Sequence, residues 1–581
     1  MRLKITESKN AKSLYVIRST YENGKHSSKI VEKLGTYAAL SEKLNGEDPI
    51  LWAKRYIDEL NRKEKQAHQE ILVKYAPAKR LKKDEQHAFH GGYLFLQKLF
   101  FELGLPAICH NITKKHSFSY DLESILSRLI YARILFPASK KATLCLANSF
   151  IEPPTFELHQ IYRALEIIAA ESDAIQAALY KNSRQVTERN TDVLYYDCTN
   201  FFFEIEQESG MRKYGPSKEH RPNPIVQMGL FMDGNGIPLA FSLSEGNTNE
   251  QTTLTPLEQK ILSDFDVSRF IVCTDAGLAS TANRKFNDKK DRAFITTQSL
   301  KQLKTHLREW ALSPEGWHLP NDRHSYNLTQ WDDLDTLPQS LLNATFYKER
   351  WIHENGLEQR LIVTFSFKYR SYQRTLRNRQ IHRAVSLIAR QPQQLTKPRP
   401  TDCKRFITQT AVTAEGEVAQ KNTYELDTGR ISHEEQYDGF YGVCTNLSSP
   451  VGRIIQVNHQ RWQIEESFRI MKTEFKARPV FLSRDDRIAA HFTTCFLALT
   501  LYRLLEKRLK GAFTCHEILQ GLQQLNFYKI PGEGYVPTYT RNDFTDALHK
   551  AFGFNTDFQF ISTQEMRTLI KKTKDQKTLL T

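Results

Sequence analysis

The segment "VLYYDCTNFFFE", Val193 to Glu204, constrains this chain more than any other. It is apolar at both alternating sets of positions, and a strand of that kind is buried on both faces. Yet Asp197 stands in its middle. An ionised carboxylate there is costly unless it meets a cation, a hydrogen-bond network or a proton. The segment therefore demands a sheet covered on both sides, with a polar gap at one point. A second short apolar run, "FIVCTDAG" at Phe270 to Gly277, reaches Asp275 just before Ala276 and Gly277. Ligands of α/β sheets gather at the carboxyl ends of strands. If the two strands are neighbours, both carboxylates face one spot, and their repulsion raises a pKa unless a divalent cation sits between them. Taken alone, Asp275 is equally the acid of a turn or a helix cap. Asp233 and Asp291 lie in turn-like sequence and are read only that way.

The neighbouring sequence extends the sheet. "PIVQMGLFMDGNGIPLAFSLSEGN" reads as a hairpin turning at Asp233–Gly236, "NEQTTLTPLEQKILSDF" as a helix and "RAFITTQ" as a further strand. The order of strand, hairpin, helix, strand, helix and strand gives a mixed α/β sheet, an antiparallel meander leading into parallel crossovers. A chain of 581 residues exceeds one ordinary core. Residues 1–90 are expected to hold a β-hairpin about Asn23-Gly24, a helix over 47–75 and a basic link. Residues 91–190 read as a helical module with helix-turn-helix-like capacity for DNA. Residues 191–300 and 441–510 carry the α/β core. Residues 301–440 interrupt it with strand-like pieces, tryptophans and a basic helix, and 511–581 end in a basic tail expected to be loose.

Lys and Arg number 81 against 66 Asp and Glu, a formal charge of +15, so a polyanion is the natural partner. The run "KYRSYQRTLRNRQIHR", Lys368 to Arg383, holds six basic residues of Lys and Arg type and no acid, with tyrosines interleaved. Such a run neutralises phosphates and lays rings against bases; a solvated helix face is the plainer alternative. Eight cysteines without a CxxC pair argue against zinc ribbons and disulfide frameworks. No apolar run reaches about 18 residues, and "MRLKITESKN" lacks the apolar stretch of a signal peptide. A soluble cytoplasmic protein without a membrane segment is expected.

A third acid comes from "VGRIIQVNHQRWQIEESFRIMKTEFKARP", read as one long helix ended by Pro479. At ~100° per residue, Arg461 and Lys472 fall within ~40° of Glu465, and Trp462 ~60° away. Val457, Ile464, Phe468, Met471 and Phe475 form an apolar stripe fit to pack on a sheet. Glu466 is expected to face away, into solvent. By itself Arg461–Glu465 is an ordinary i,i+4 pair. The following helix, "RIAAHFTTCFLALTLYRLLEKRL", is apolar nearly all round and must be buried, and His491 on it is read as a satisfied core histidine.

With these residues together, the sequence resembles the DDE transposases of bacterial insertion sequences, most closely the group with a large β-rich insertion before the final glutamate. That group carries Tyr, two residues, Arg, three residues, Glu, six residues, Lys. Arg461, Glu465 and Lys472 meet the spacing, and Asn458 stands at the tyrosine position. "YYDCTN" and "VCTDAG" match the first and second acidic motifs, and "YGPSKEHRPNPIVQMGLFMDGNGIPL" is similar to the family as well. The resemblance spans about residues 190–510 and extends more weakly to the N-terminal hairpin, which implies residues 1–90 as a candidate region for binding DNA ends. It implies an α/β fold with an RNase H-like catalytic core and a β-rich insertion domain, preceded by a small α+β N-terminal region and a helical module. The spacing of 190 from Asp275 to Glu465 leaves room for the insertion.

The resemblance further implies metal-dependent DNA cleavage at terminal inverted repeats and strand transfer into target DNA, of the cut-and-paste type. Asp197, as a bridging ligand, Asp275 and Glu465 would hold two Mg2+ ions about 3.5–4 Å apart, with Mn2+ as a substitute. Arg461 and Lys472, with Lys218 and Arg221 of the "SKEHRP" loop, would hold phosphates. Lys368, Arg370, Arg374 and Arg377 would meet DNA along the basic helix, and Trp351 would receive an unstacked base, packing being its plainer role. Two ends must be joined, so a homodimer on DNA at the nucleoid is expected. The alternatives are an RNase H-like nuclease without strand transfer and a catalytically inactive, transposase-derived DNA-binding protein, against which the three acids argue. Two carboxylates acting on a glycosidic bond fit the basic charge poorly.

Overall fold

A strand apolar on both faces belongs in the middle of a covered sheet, and the computed structural model has Val193–Phe202 there. The structure describes residues 1–8, 11–22, 25–44, 47–67, 78, 80–320, 322–331, 338–390, 402–412 and 418–576. Among these the chain forms two compact units, Met1–Glu85 and Gln86–Thr581. The main sheet of the second has eight strands: β1 Val193–Phe202, β2 Ile225–Asp233, β3 Pro238–Glu245, β4 Phe270–Thr274, β5 Arg292–Gln298, β6 Phe346–Glu354, β7 Leu357–Phe365 and β8 Phe440–Thr445. Their spatial order is β6-β7-β8-β5-β4-β1-β2-β3. β1, β2 and β3 form an antiparallel meander. β1, β4 and β5 run parallel, and β8, β7 and β6 continue antiparallel beyond β5. The meander followed by crossovers is as the sequence implied. Residues 301–440 thus add two strands to this sheet, together with the helix Phe367–Ala389 and a hairpin of Ile407–Val412 with Val418–Leu426.

Alternation along β1 divides the core. Val193, Tyr195 and Phe201 join one apolar cluster, while Leu194, Tyr196 and Cys198 join another with Leu257 and Ile261 of the helix Leu254–Asp264. The helix Asp485–Arg508 fills the first side. It is long and apolar enough to cross a bilayer, but 94% of its apolar stretch is buried inside the fold. It packs against the helices Leu122–Leu135 and Leu158–Ala170 and against β3. Phe492 meets Phe201 at 4.7 Å and Phe496 meets Phe241 at 5.1 Å between ring centres. Helices that precede the sheet in sequence therefore share one core with a helix that follows it.

The C-terminal stretch differs from the loose tail expected. Thr563–Thr573 is a helix opened by a reciprocal Ser562–Glu565 capping box. Gln97 donates to the Thr573 hydroxyl at 3.0 Å, and Lys574 pairs with Glu152 at 2.6 Å. Residues 577–581 lie outside the described residues.

The unit Met1–Glu85 is a three-stranded antiparallel sheet, Arg2–Ser8, Ala11–Glu22 and Lys25–Thr36, followed by helices Tyr37–Lys43 and Pro49–Ala67. Glu22 stands opposite Lys25, the register of a two-residue hairpin; Asn23 and Gly24 themselves lie outside the described residues, as does the end of the helix expected to reach residue 75. Leu14, Leu40 and Ala53 form its core.

Candidate active site

The strand register brings the two aspartates together. Val193, Leu194 and Tyr195 of β1 pair in parallel with Ile271, Val272 and Cys273 of β4. Carried two residues further, this register sets Asp197 opposite Asp275. Side chains alternate, so both acids stand on the face of Tyr195 and Cys273. Asp197 alone of the ten residues of β1 is partly exposed, the other nine being buried: the sheet opens where the charge sits. Burial pushes the Asp197 carboxyl up to about 6, against the pull of the Lys218 ammonium and with added repulsion from Asp275. Asp275 follows the end of β4 and also caps the turn Ala276–Leu278, its Oδ1 accepting from the Leu278 N–H at 3.0 Å. The turn-capping role and the strand-end position coexist. Asp233, by contrast, is buried in its hairpin turn, accepting from the N–H groups of Asn235 and Ile237 and pairing with Arg189.

The segment carrying Glu465 is not the single helix expected. It consists of helices Val451–His459 and Trp462–Arg469 and a π-helical turn at Ile470–Glu474. The break lies against a hydroxyl from the sheet. The Tyr195 hydroxyl donates to the Val457 carbonyl at 3.0 Å and to Gln460 Oε1 at 3.2 Å. Beside it the backbone tightens, with Arg461 N–H bonding the Asn458 carbonyl at 3.3 Å. Downstream, the Phe475 N–H reaches back to Ile470 at 3.0 Å, one residue further than an α-helix allows. The uniform turn per residue assumed for Lys472 therefore fails. The apolar stripe survives: Ile464, Phe468, Met471 and Phe475 are buried in the cluster that covers the face of Asp197.

Glu466 also departs from expectation. It does not face solvent freely but accepts from Arg503 at 3.1 Å, a guanidinium buried in the helix Asp485–Arg508. Glu465 is the more open of the two, its side chain 58% exposed, and it pairs with Arg461 at 3.1 Å. Burial works against the charge of Arg461, yet Tyr441, Glu465, Asp197 and Asp275 together hold its pKa above the ordinary value. One guanidinium thus stands among all three acids. Lys472 is pushed down to about 8, mainly by burial and then by Lys218, with Asp197 and Glu250 opposing. Asn458, at the position of the motif tyrosine, donates to the Tyr441 hydroxyl at 3.3 Å, so a tyrosine from β8 reaches this place.

Among the described residues, no group of three or more His, Cys, Asp and Glu side chains lies close enough to hold a metal ion. The convergence expected of Asp197, Asp275 and Glu465 is therefore incomplete. The sheet brings two acids to one face, and Arg461 engages the third. The pair itself fits a hard cation: two carboxylates share a face, and burial, with Asp275 adding repulsion, raises the proton affinity of Asp197 despite the pull of Lys218 and Arg461.

The other expected residues fall into separate places. Lys218 donates to the Cys198 carbonyl and pairs with Glu250 at 3.5 Å, beside the acids. Arg221 lies over the Phe202 ring at 4.2 Å. Trp351 is on β6, 49% exposed, and Trp462 is also exposed. On the helix Phe367–Ala389, Lys368 is exposed, Arg374 is half-exposed near Asp438 at 3.8 Å, and Arg370 lies over the Phe367 ring at 4.9 Å. Arg377 turns inward, paired with Asp438 at 2.7 Å and Glu435 at 3.0 Å, so its charge is engaged within the protein. His491 is buried against the Ala477 carbonyl at 3.2 Å, as read. Tyr195, Glu219, Glu250, Tyr441 and Arg478 also border the site; apart from Glu219 with Arg221, their contacts join positions far apart in the chain, and no spacing rule signals them.

A family model described as the transposase DDE domain matches residues 200–501, just over half of the chain. The match begins three residues past Asp197 and takes in Asp275, Arg461, Glu465 and Lys472. Comparison with curated proteins finds no match. A solved structure described as a piggyBac transposase synaptic complex with hairpin DNA is similar at 9% identity and a TM-score of 0.34, covering 81% of this chain and 87% of that one. A likeness of that size carries no argument.

Proposed function

This chain belongs to the transposase DDE domain family, and from that premise we propose that it cleaves DNA at the terminal inverted repeats of an insertion sequence and joins the freed ends to target DNA. The observation that carries the reading is the register of β1 and β4, which sets Asp197 opposite Asp275 on the face covered by the Glu465 segment. We read β3-β2-β1-β4-β5 as an RNase H-like core; its strand order and directions support this. The basic charge and the exposed basic and aromatic positions Lys368, Tyr369, Tyr372 and Arg374 support DNA as the partner. A homodimer acting on two DNA ends in the cytoplasm, at the nucleoid, completes the reading.

Members of the family generally use divalent metal ions. Asp197 and Asp275 would hold them here, joined by Glu465 once it parts from Arg461, and Mg2+ or Mn2+ would supply an activated oxygen nucleophile and a neutralised leaving oxygen. The chain's own part is positional. Arg461 and Lys472 hold phosphates of the cleaved strand. Lys218 offsets the charge of Asp197 before DNA arrives. Tyr195 fixes the backbone from which Arg461 projects.

The test is cleavage of DNA carrying the element's own terminal repeats, with Mg2+, by wild type and by Glu465→Ala. Nicking by wild type alone, with binding retained by both, is the expected result; nicking by the variant at an unchanged rate removes Glu465 from the site. The Glu465–Arg461 pair also suits a DNA-binding protein that has lost cleavage, and binding without nicking by the wild type would select that second reading.

A further inference from the structure

We propose that Lys472, Arg478 and Arg221 form a second phosphate-binding site beside the acids, and that the carboxylate of Glu219 fills it until a DNA backbone phosphate takes its place. The inference rests on the proposed action on DNA and extends it: Lys472 belongs to the Arg-Glu-Lys motif, whereas Arg478, Arg221 and the Glu219 that occupies the site lie outside the acidic and Arg-Glu-Lys motifs.

Glu219 lies in the loop between β1 and β2. Of Lys218, Glu219, His220 and Arg221, only Glu219 is drawn out of solvent. Its carboxylate meets the Arg478 guanidinium, with Lys472 Nζ at 3.6 Å and Arg221 Nε at 4.0 Å. The Lys472 side chain is 12% exposed and that of Arg478 25%. Three cations thus surround one carboxylate, and a single negative charge leaves the cluster with a positive excess. A phosphodiester presents the same pattern as a carboxylate: two terminal oxygens sharing one negative charge, matched by a guanidinium and an ammonium.

The site adjoins the chemistry. Lys472 Nζ also lies 5.5 Å from the Phe201 ring centre, four residues along β1 from Asp197, and Arg221 covers Phe202 at 4.2 Å. A strand held at Lys472 and Arg478 therefore runs past the open point of the sheet. The loop is built to release its acid. His220, next to Glu219, has φ of 57°, a left-handed conformation that costs a non-glycine residue energy. Withdrawal of Glu219 frees the loop to relax as DNA enters.

Full-length wild type, Glu219→Gln, Arg478→Gln and the double variant are to be titrated with two probes in metal-free buffer, after thermal melts establish that each is folded: inorganic phosphate by calorimetry, and a random-sequence 30-base-pair duplex by anisotropy across a salt series. Glu219→Gln is expected to bind both probes about 5- to 10-fold more tightly. Arg478→Gln is expected to bind duplex more weakly, with a salt slope lower by about one, and to cancel the gain in the double variant. Unchanged or weaker phosphate binding by Glu219→Gln overturns the proposal; if that variant melts early, Glu219→Ala is held to the same criterion. A phosphate gain that Arg478→Gln does not cancel also overturns it. Should the phosphate gain appear while neither wild type nor Glu219→Gln binds duplex, the anion site stands, its DNA occupant is refuted, and the proposed function falls separately.

Discussion

Asp197 and Asp275 sit on regular strands, whereas Glu465 sits on a helix broken before it and distorted after it. The strand pair is determined by backbone register, and a one-residue slip would turn its side chains to the other face. The glutamate is held by one ion pair on a half-open side chain. Under the proposed function, the contrast sets a half-site fixed by strand register against a half held by one ion pair. π-Helical turns are frequent at functional sites, and here helix irregularity lies on both sides of Glu465, the residue that the proposed function requires to move.

That contrast can be broken at its strongest point first. Asp197→Asn and Glu465→Gln should each reduce single-turnover DNA cleavage by on the order of 10³-fold or more, but they should separate in Mn2+ binding without DNA. Calorimetry should show binding lost in Asp197→Asn and retained in Glu465→Gln; equal loss in both would mean that Glu465 already shares the site. Next, Tyr195→Phe removes the hydroxyl that takes up the Val457 carbonyl. Misplacing Arg461 by about an ångström should slow cleavage by roughly 10- to 100-fold with DNA affinity unchanged, and a normal rate would show that Arg461 is not positioned through this bond.

Two smaller effects sharpen the comparison in stability. The folded pKa of Asp197 lies above the ordinary value, so its ionised form opposes folding. The opposition is absent below about pH 4, grows between about 4 and 6, and is complete above. Metal-free Asp197→Asn should therefore be more stable than wild type at pH 8, by on the order of 2 kcal/mol, and lose that advantage at pH 4. Parallel denaturation curves at both pH values would contradict it. Glu466→Gln, beside the catalytic candidate but facing Arg503, should lose about 1–2 kcal/mol of stability and keep full cleavage, the reverse of Glu465→Gln.

What the sequence disclosed follows the same division. The apolar strand with one acid, the hairpin about Asp233 and the order of strands were legible because a period of two is a local signal, and the register then carried Asp197 to Asp275. The helix break was not legible, since the hydroxyl that bonds the backbone there belongs to Tyr195, remote in sequence. Nor was the fate of Glu466, whose partner Arg503 belongs to another helix, or of Arg377, neutralised by acids some 60 residues away. The C-terminal helix has a local signal that the basic composition of the tail masks: Ser562 and Glu565 have the spacing of a capping box. The strand Arg2–Ser8 offered little, because six of its seven residues are exposed.

The claim on which all of this depends is that Glu465 leaves Arg461 and joins the aspartate pair when DNA is bound. Anomalous scattering from Mn2+ in crystals of the protein with its terminal-repeat DNA tests it directly. The account predicts a metal peak touching Asp197, Asp275 and Glu465, with the Arg461–Glu465 pair parted; a peak elsewhere, or cleaved DNA in crystals where that pair persists, would contradict it.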